Sequence, residues 1–184
     1  MEPRRGLTTL TFTATAEDYR ISWLAALAIT IHIAESVLPA PLPGIKPGLA
    51  NVVTIAALLL YGWRAAVWVS LLRVVVGSIL IGTFLTPTFV LSFAGALAAL
   101  AALGLGRLLP GRGLGPVGYC LLASTAHMAA QFFVAYRLFI PHAALLGLLP
   151  VLMTVAVGFG LLSGIVVHFM MGQLRHDTGH HDPA

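Results

Sequence analysis

Six apolar segments, at about residues 21–38, 50–62, 64–82, 87–109, 115–140 and 143–171, make up most of this chain. A helix needs about 20 residues to cross about 30 Å of hydrocarbon at a rise of about 1.5 Å per residue. Five of the six segments reach or approach that length. The second is short, so it ends within the protein or takes in part of the loop before it. Charged residues are 9% of the 184 and hydrophobic ones 59%, against about 25% charged in a soluble domain. Such a chain cannot cover itself with a solvated surface and belongs in a bilayer. The expected fold is an all-α polytopic bundle of six transmembrane helices over residues 21–172. A polar N-terminal tail (1–20) and a histidine-rich C-terminal tail (173–184) flank it.

The breaks between segments set the topology. Only Gly62-Trp63-Arg64 separates the second from the third. One continuous helix would bury Arg64 at the membrane centre, so a tight hairpin is expected. With six spans and the N-terminus inside, the cytoplasmic side holds Arg4, Arg5, Arg20, Arg64, Arg107, Arg112 and Arg175, and the outer side holds Lys46 and Arg137. This bias follows the positive-inside rule and places both termini in the cytoplasm. The net charge of +4 therefore reflects topology, not nucleic acid. Glu17 and Asp18 intervene between the N-terminal arginines and the first apolar run, unlike a secretory signal. The Thr-rich alternation at 9–15 reads as a mobile tail rather than a strand. The single cysteine, Cys120, excludes an intrachain disulfide and a cysteine-based zinc or iron–sulfur site.

Within this apolar background the polar residues stand out. Pro43-Gly44-Ile45-Lys46-Pro47-Gly48-Leu49-Ala50-Asn51 is the longest turn-forming break, with the only lysine between two Pro-Gly pairs. The charge bias places it outside, as an ordered loop at the mouth of a binding site. Ionisable groups in hydrocarbon cost several kcal/mol and face a cavity or a partner. His32 and Glu35 are three apart on the first helix and share a face, as do His127 and Gln131, four apart on the fifth. Arg73 falls near midplane of the third. Glu35, Lys46, Asn51, Arg73, His127 and Gln131 thus outline a cavity open to the outside and closed below. One account is a Glu35–Arg73 ion pair with His127 and Gln131 hydrogen-bonded around it. The other is that Arg73, Lys46 and loop N–H groups receive an anionic or strongly polar ligand group; the two coexist if the ligand competes for Arg73. Nitrogen and carboxylate ligands from His32, Glu35 and His127 suit a transition metal, but the spacing does not demand one. The histidines of the C-terminal tail read as solvated. No metal and no cofactor is expected.

Small residues recur every four positions at Ser22, Ala26, Thr30 and Ala34, at Ala94, Ala98, Ala102 and Gly106, and at Ala156, Gly160 and Gly164. Each series gives a smooth face that a second helix can approach closely. Packing within the bundle accounts for such faces, and on the first helix a docking face for a separate membrane subunit is the alternative.

Residues 43–54, then Arg73, Gly82-Thr83-Phe84, Ser92-Phe93-Ala94-Gly95, and Ala126-His127 with Gln131 resemble the Gx transporter family, whose members are often labelled heptaprenyl diphosphate synthase component I. The resemblance runs in order over about residues 34–170. That family is similar to the S components of energy-coupling-factor transporters. The resemblance implies a six-helix protein of the bacterial cytoplasmic membrane that captures a small solute beneath its first loop. It also implies a transmembrane coupling subunit docked on small residues of the first helix, and cytoplasmic ATPases that drive the cycle. Lys46, Asn51, Arg73, His127 and Gln131 fall in the motifs, and Ser22, Ala26, Thr30 and Ala34 match the docking face. Pro47 and Met128 depart from the family pattern, which has an apolar residue and an asparagine there.

The chain is not expected to be an enzyme. Prenyl diphosphate synthases hold magnesium on aspartate clusters, and magnesium favours carboxylate and water oxygens. The only aspartates here are Asp18, Asp177 and Asp182, all in the tails. The leading expectation is a substrate-binding subunit for an anionic or amphipathic solute, in contact with the lipid bilayer, a coupling subunit and ATPases. The alternative is a non-catalytic accessory subunit in isoprenoid, quinone or membrane redox metabolism.

Overall fold

The computed structural model describes residues 14–37, 51–108 and 114–178, the side chains of 37 and 174–178 excepted. The N-terminal alternation, Lys46 with the rest of the 43–50 loop, and the histidines of the C-terminal tail beyond 178 lie outside the described residues. The regular elements among those described are helices: α1 (Ala16–Val37), α2 (Asn51–Tyr61), α3 (Trp63–Ile81), α4 (Pro87–Gly106), α5 (Pro116–Val134), a π turn (Ala135–Phe139), α6 (Ala143–Leu146) and α7 (Leu149–Thr178). Each of the six apolar segments is helical, and the sixth is split at Gly147-Leu148.

Trp63–Ile81, Pro87–Gly106, Pro116–Phe139 and Ala143–Gln173 are long and apolar enough to cross a membrane, so the chain is a membrane-type helical protein. Among the described residues these are the four that do so. α1 is 22 residues long and opens with Glu17, Asp18 and Arg20. It starts ahead of the apolar run because Thr15 and Asp18 cap it reciprocally. The Thr15 N–H donates to Asp18 Oδ2 at 2.8 Å and the Asp18 N–H to Thr15 Oγ1 at 3.3 Å, satisfying donors that a helix start leaves open.

The hairpin between α2 and α3 turns on one residue. Gly62 has φ 85° and ψ −170°, a region essentially restricted to glycine. Its N–H donates to Leu58 O and its carbonyl accepts from Ala66 N, so it closes α2 and opens α3. Proline begins both α4 and α5 (Pro87, Pro116), where the first turn has no use for a backbone N–H.

The helices pack mainly as α5 against α7 and α4, and α3 against α1 and α2. Ile55, Leu58, Ala66, Leu103, Tyr119, Cys120 and Val167 form a core shared by α2, α3, α4, α5 and α7. At the end of the bundle below that core, the Arg107 guanidinium lies 5.6 Å from the Trp63 ring centre and Arg20 lies 5.6 Å from that of Tyr61. Asp18 feels the charge of Arg64 there. Arg20, Arg64 and Arg107 therefore gather at one end.

The small-residue faces have different fates. On α7, Ala156, Gly160 and Gly164 are buried. A Cβ at Gly164 would stand 2.7 Å from the Val117 Cα, and one at Gly160 would fall on Ser124 Oγ. This face is where α7 closes on α5. Ser22, Ala26, Thr30 and Ala34 are all exposed, because α1 turns Ala25, Ala28, His32 and Glu35 inward instead.

Candidate functional site

The hairpin creates the site. α2 is 11 residues long, about 16 Å at 1.5 Å per residue, and Arg73 lies about as far along α3 from the same turn. Antiparallel packing then brings the first residue of α2 beside Arg73. Arg73 Nη2 donates to Asn51 Oδ1 at 3.0 Å, and both residues are buried, 2% and 3% exposed.

The other helices bring their polar residues to the same level. On α1, His32 and Glu35 are buried on the face turned to α3. The His32 ring lies against Gly77, one turn beyond Arg73, where a Cβ would stand 2.8 Å from its Cδ2. Glu35 is close enough to Arg73 to interact with its charge. On α5, the His127 ring covers Gly95 of α4, where a Cβ would meet three ring atoms at 2.7–2.8 Å. His127 also interacts with the Gly95 backbone and with the charge on Arg73. Gln131, one turn further along α5, is fully buried.

His32, Glu35, Asn51, Arg73, His127 and Gln131 therefore all lie in the buried interior, contributed by α1, α2, α3 and α5. Lys46, the remaining predicted substrate contact, is outside the described residues. Ser22, Ala26, Thr30 and Ala34 are elsewhere, on the outer face of α1. Among the described residues no three histidine, cysteine, aspartate or glutamate side chains gather closely enough to hold a metal ion.

Four contributors escaped the sequence reading of the site. Thr54 is one turn from Asn51 on α2 and Ser92 one turn before Gly95 on α4, and both are buried. Thr54, Ser92 and Gly95 fall within the stretches that carry the family resemblance, which was the available signal. Gly77 and Gly95 serve as flat platforms for the two imidazoles. Ser124, one turn before His127 on α5, donates from its Oγ to Leu121 O within its own helix, at 3.1 Å. Asn51 Nδ2, Thr54 Oγ1, Arg73 Nε, Ser92 Oγ and His127 Nδ1 are buried without a hydrogen-bond partner.

The arrangement is a polar layer in an apolar bundle, located where α1 ends and α2 begins, away from the arginine-rich end. It has a fixed cation, a nearby carboxylate and several hydrogen-bonding groups drawn from α1 to α5. No curated protein and no solved structure gives a significant match to the chain. The family model that describes heptaprenyl diphosphate synthase component I matches residues 24–170, which takes in every helix that builds the layer. The chain belongs to the heptaprenyl diphosphate synthase component I family.

Proposed function

We propose that this protein is the substrate-binding membrane subunit of an energy-coupling-factor-type importer, capturing a small anionic or amphipathic solute from the outer side. The observation that carries this reading is the buried Arg73, held by Asn51 and close enough to Glu35 and His127 for their charges to interact. A charge at the centre of a membrane helix costs about 3 kcal/mol or more and marks a pathway or a ligand site. The layer lies at the ends of α1 and α2 that are joined by the segment containing Lys46, and in the six-span reading that segment is outside. Both termini are then cytoplasmic, in a bacterial inner membrane.

The exposed Ser22-Ala26-Thr30-Ala34 face supports the same reading. The helix leaves this smooth face unused in its own bundle, and it suits close approach by a helix of a coupling subunit. Cytoplasmic ATPases would act through that subunit. The test is purification from native membranes. A coupling subunit is expected to accompany the wild type and to be lost in Ala26→Leu, where a bulky side chain fills the groove. Retention of the complex in that variant would count against the reading. Native mass spectrometry of the same material reports the bound solute, and solute-dependent thermal stabilisation is expected to vanish in Arg73→Ala.

The family's name favours a second reading, a non-catalytic accessory subunit in isoprenoid, quinone or membrane redox metabolism. The chain is not itself proposed as the enzyme: its sequence has three aspartates, Asp18, Asp177 and Asp182, and no aspartate-rich run of the kind that holds magnesium-bound diphosphate. Protein that binds no solute yet raises the activity of a prenyl-transferring partner would favour that second reading.

A further inference from the structure

Two of the unsatisfied atoms in the polar layer can only donate, and two more are hydroxyls able to do so. Arg73 Nε–H only donates. Asn51 Nδ2 only donates, and its orientation is fixed: Arg73 Nη2 offers a proton, so the oxygen of Asn51 must face it and the amino group must face away. The Thr54 and Ser92 hydroxyls can donate or accept, and His127 Nδ1 does one or the other according to tautomer. The set includes no carbonyl or carboxylate oxygen. It comes from α2, α3, α4 and α5, with each of the five residues no more than 5% exposed. Folded structures rarely leave so many buried polar atoms unpaired.

We infer that the occupant of this layer is an acceptor-only oxygen group, of which a carboxylate is the simplest, recognised by its hydrogen-bond polarity. This rests on reading the layer as a ligand site, and it goes further by naming the chemistry that fits. Charge alone would select weakly, because Glu35 lies close enough to Arg73 to offset it. The donor-only pair decides: a carboxylate supplies acceptors to Arg73 Nε and Asn51 Nδ2 and to the hydroxyls at once, an amide sets its own N–H groups against some, and an ammonium offers Arg73 Nε and Asn51 Nδ2 no acceptor.

The test uses three probes with one aromatic body: benzoate, benzamide and benzylammonium. Each is added at the same millimolar concentration to the purified full-length protein in a non-ionic detergent, and melting temperature is read. Benzoate is expected to raise it by about 2 °C or more, benzamide by less and benzylammonium not at all. Two variants separate recognition from folding. Thr54→Val removes an unpaired hydroxyl at constant shape, so it raises the melting temperature without ligand and reduces the benzoate response. Asn51→Asp sets a carboxylate beside Arg73, so it also raises the unliganded value and abolishes the response. An equal response to benzylammonium, no response to any probe, or a Thr54→Val variant that melts lower than the wild type would each overturn the inference. A benzoate response in a protein that never co-purifies with a coupling subunit would support the inference while ending the importer reading.

Discussion

Arg73 shows how a membrane bundle keeps a charge. Its guanidinium is 2% exposed and held directly by the Asn51 oxygen, with two imidazoles nearby that depend on glycine for their position. At Gly95 the argument is sharp. A Cβ there would meet His127 Cε1, Nδ1 and Nε2 at 2.7–2.8 Å, closer than real contacts allow, and α5 is packed behind the ring. Gly95→Ala should therefore cost about 1–3 kcal/mol as overpacking and push the imidazole out of the layer. A thermal melt reads the first effect and loss of solute binding the second. From the sequence, His127 and Gln131 announce themselves as polar residues in an apolar helix. Gly95 does not, because a glycine among alanines and leucines looks like any small residue until the ring across from it is placed.

At the scale of elements, α7 and α1 carry the same four-residue spacing of small residues for opposite uses. On α7 a Cβ at Gly164 would press within 2.7 Å of backbone, the Val117 Cα, which cannot swing aside. Gly164→Ala is expected to part the α5–α7 interface and cost about 1–3 kcal/mol. On α1, Ala26 is exposed, so Ala26→Leu should leave the melting temperature within about 0.5 kcal/mol of the wild type, whatever it does to a partner. Circular dichroism melts of the two variants side by side check both. The Gly62 hairpin is the element most fully legible beforehand: a three-residue break beside an arginine left little choice, and the glycine φ of 85° completes it.

For the whole molecule, the issue is which end faces the cytoplasm. Arg20 and Arg107 each lie over an aromatic ring at the end of the bundle where Arg64 also sits, and the polar layer lies away from them. Cys120 is buried, so a thiol introduced at an exposed position reports against a quiet background. Arg64→Cys should react with a membrane-impermeant maleimide in inverted vesicles and stay unlabelled in intact spheroplasts. Labelling in spheroplasts would reverse the orientation and close the proposed route to the layer.

The sequence by itself determined that this is a helical membrane protein, where its segments break, and which polar residues are out of place in hydrocarbon. Those follow from hydrophobic run length and from the cost of a buried charge, which are properties of a segment alone. Only the tertiary structure decided which small-residue face is spent on packing, that Asn51 meets Arg73 across the hairpin, and that Thr54 and Ser92 join them unpaired. These depend on the rotation of each helix about its axis, and that is set by all its neighbours together. An apolar helix carries little record of it in its own residues.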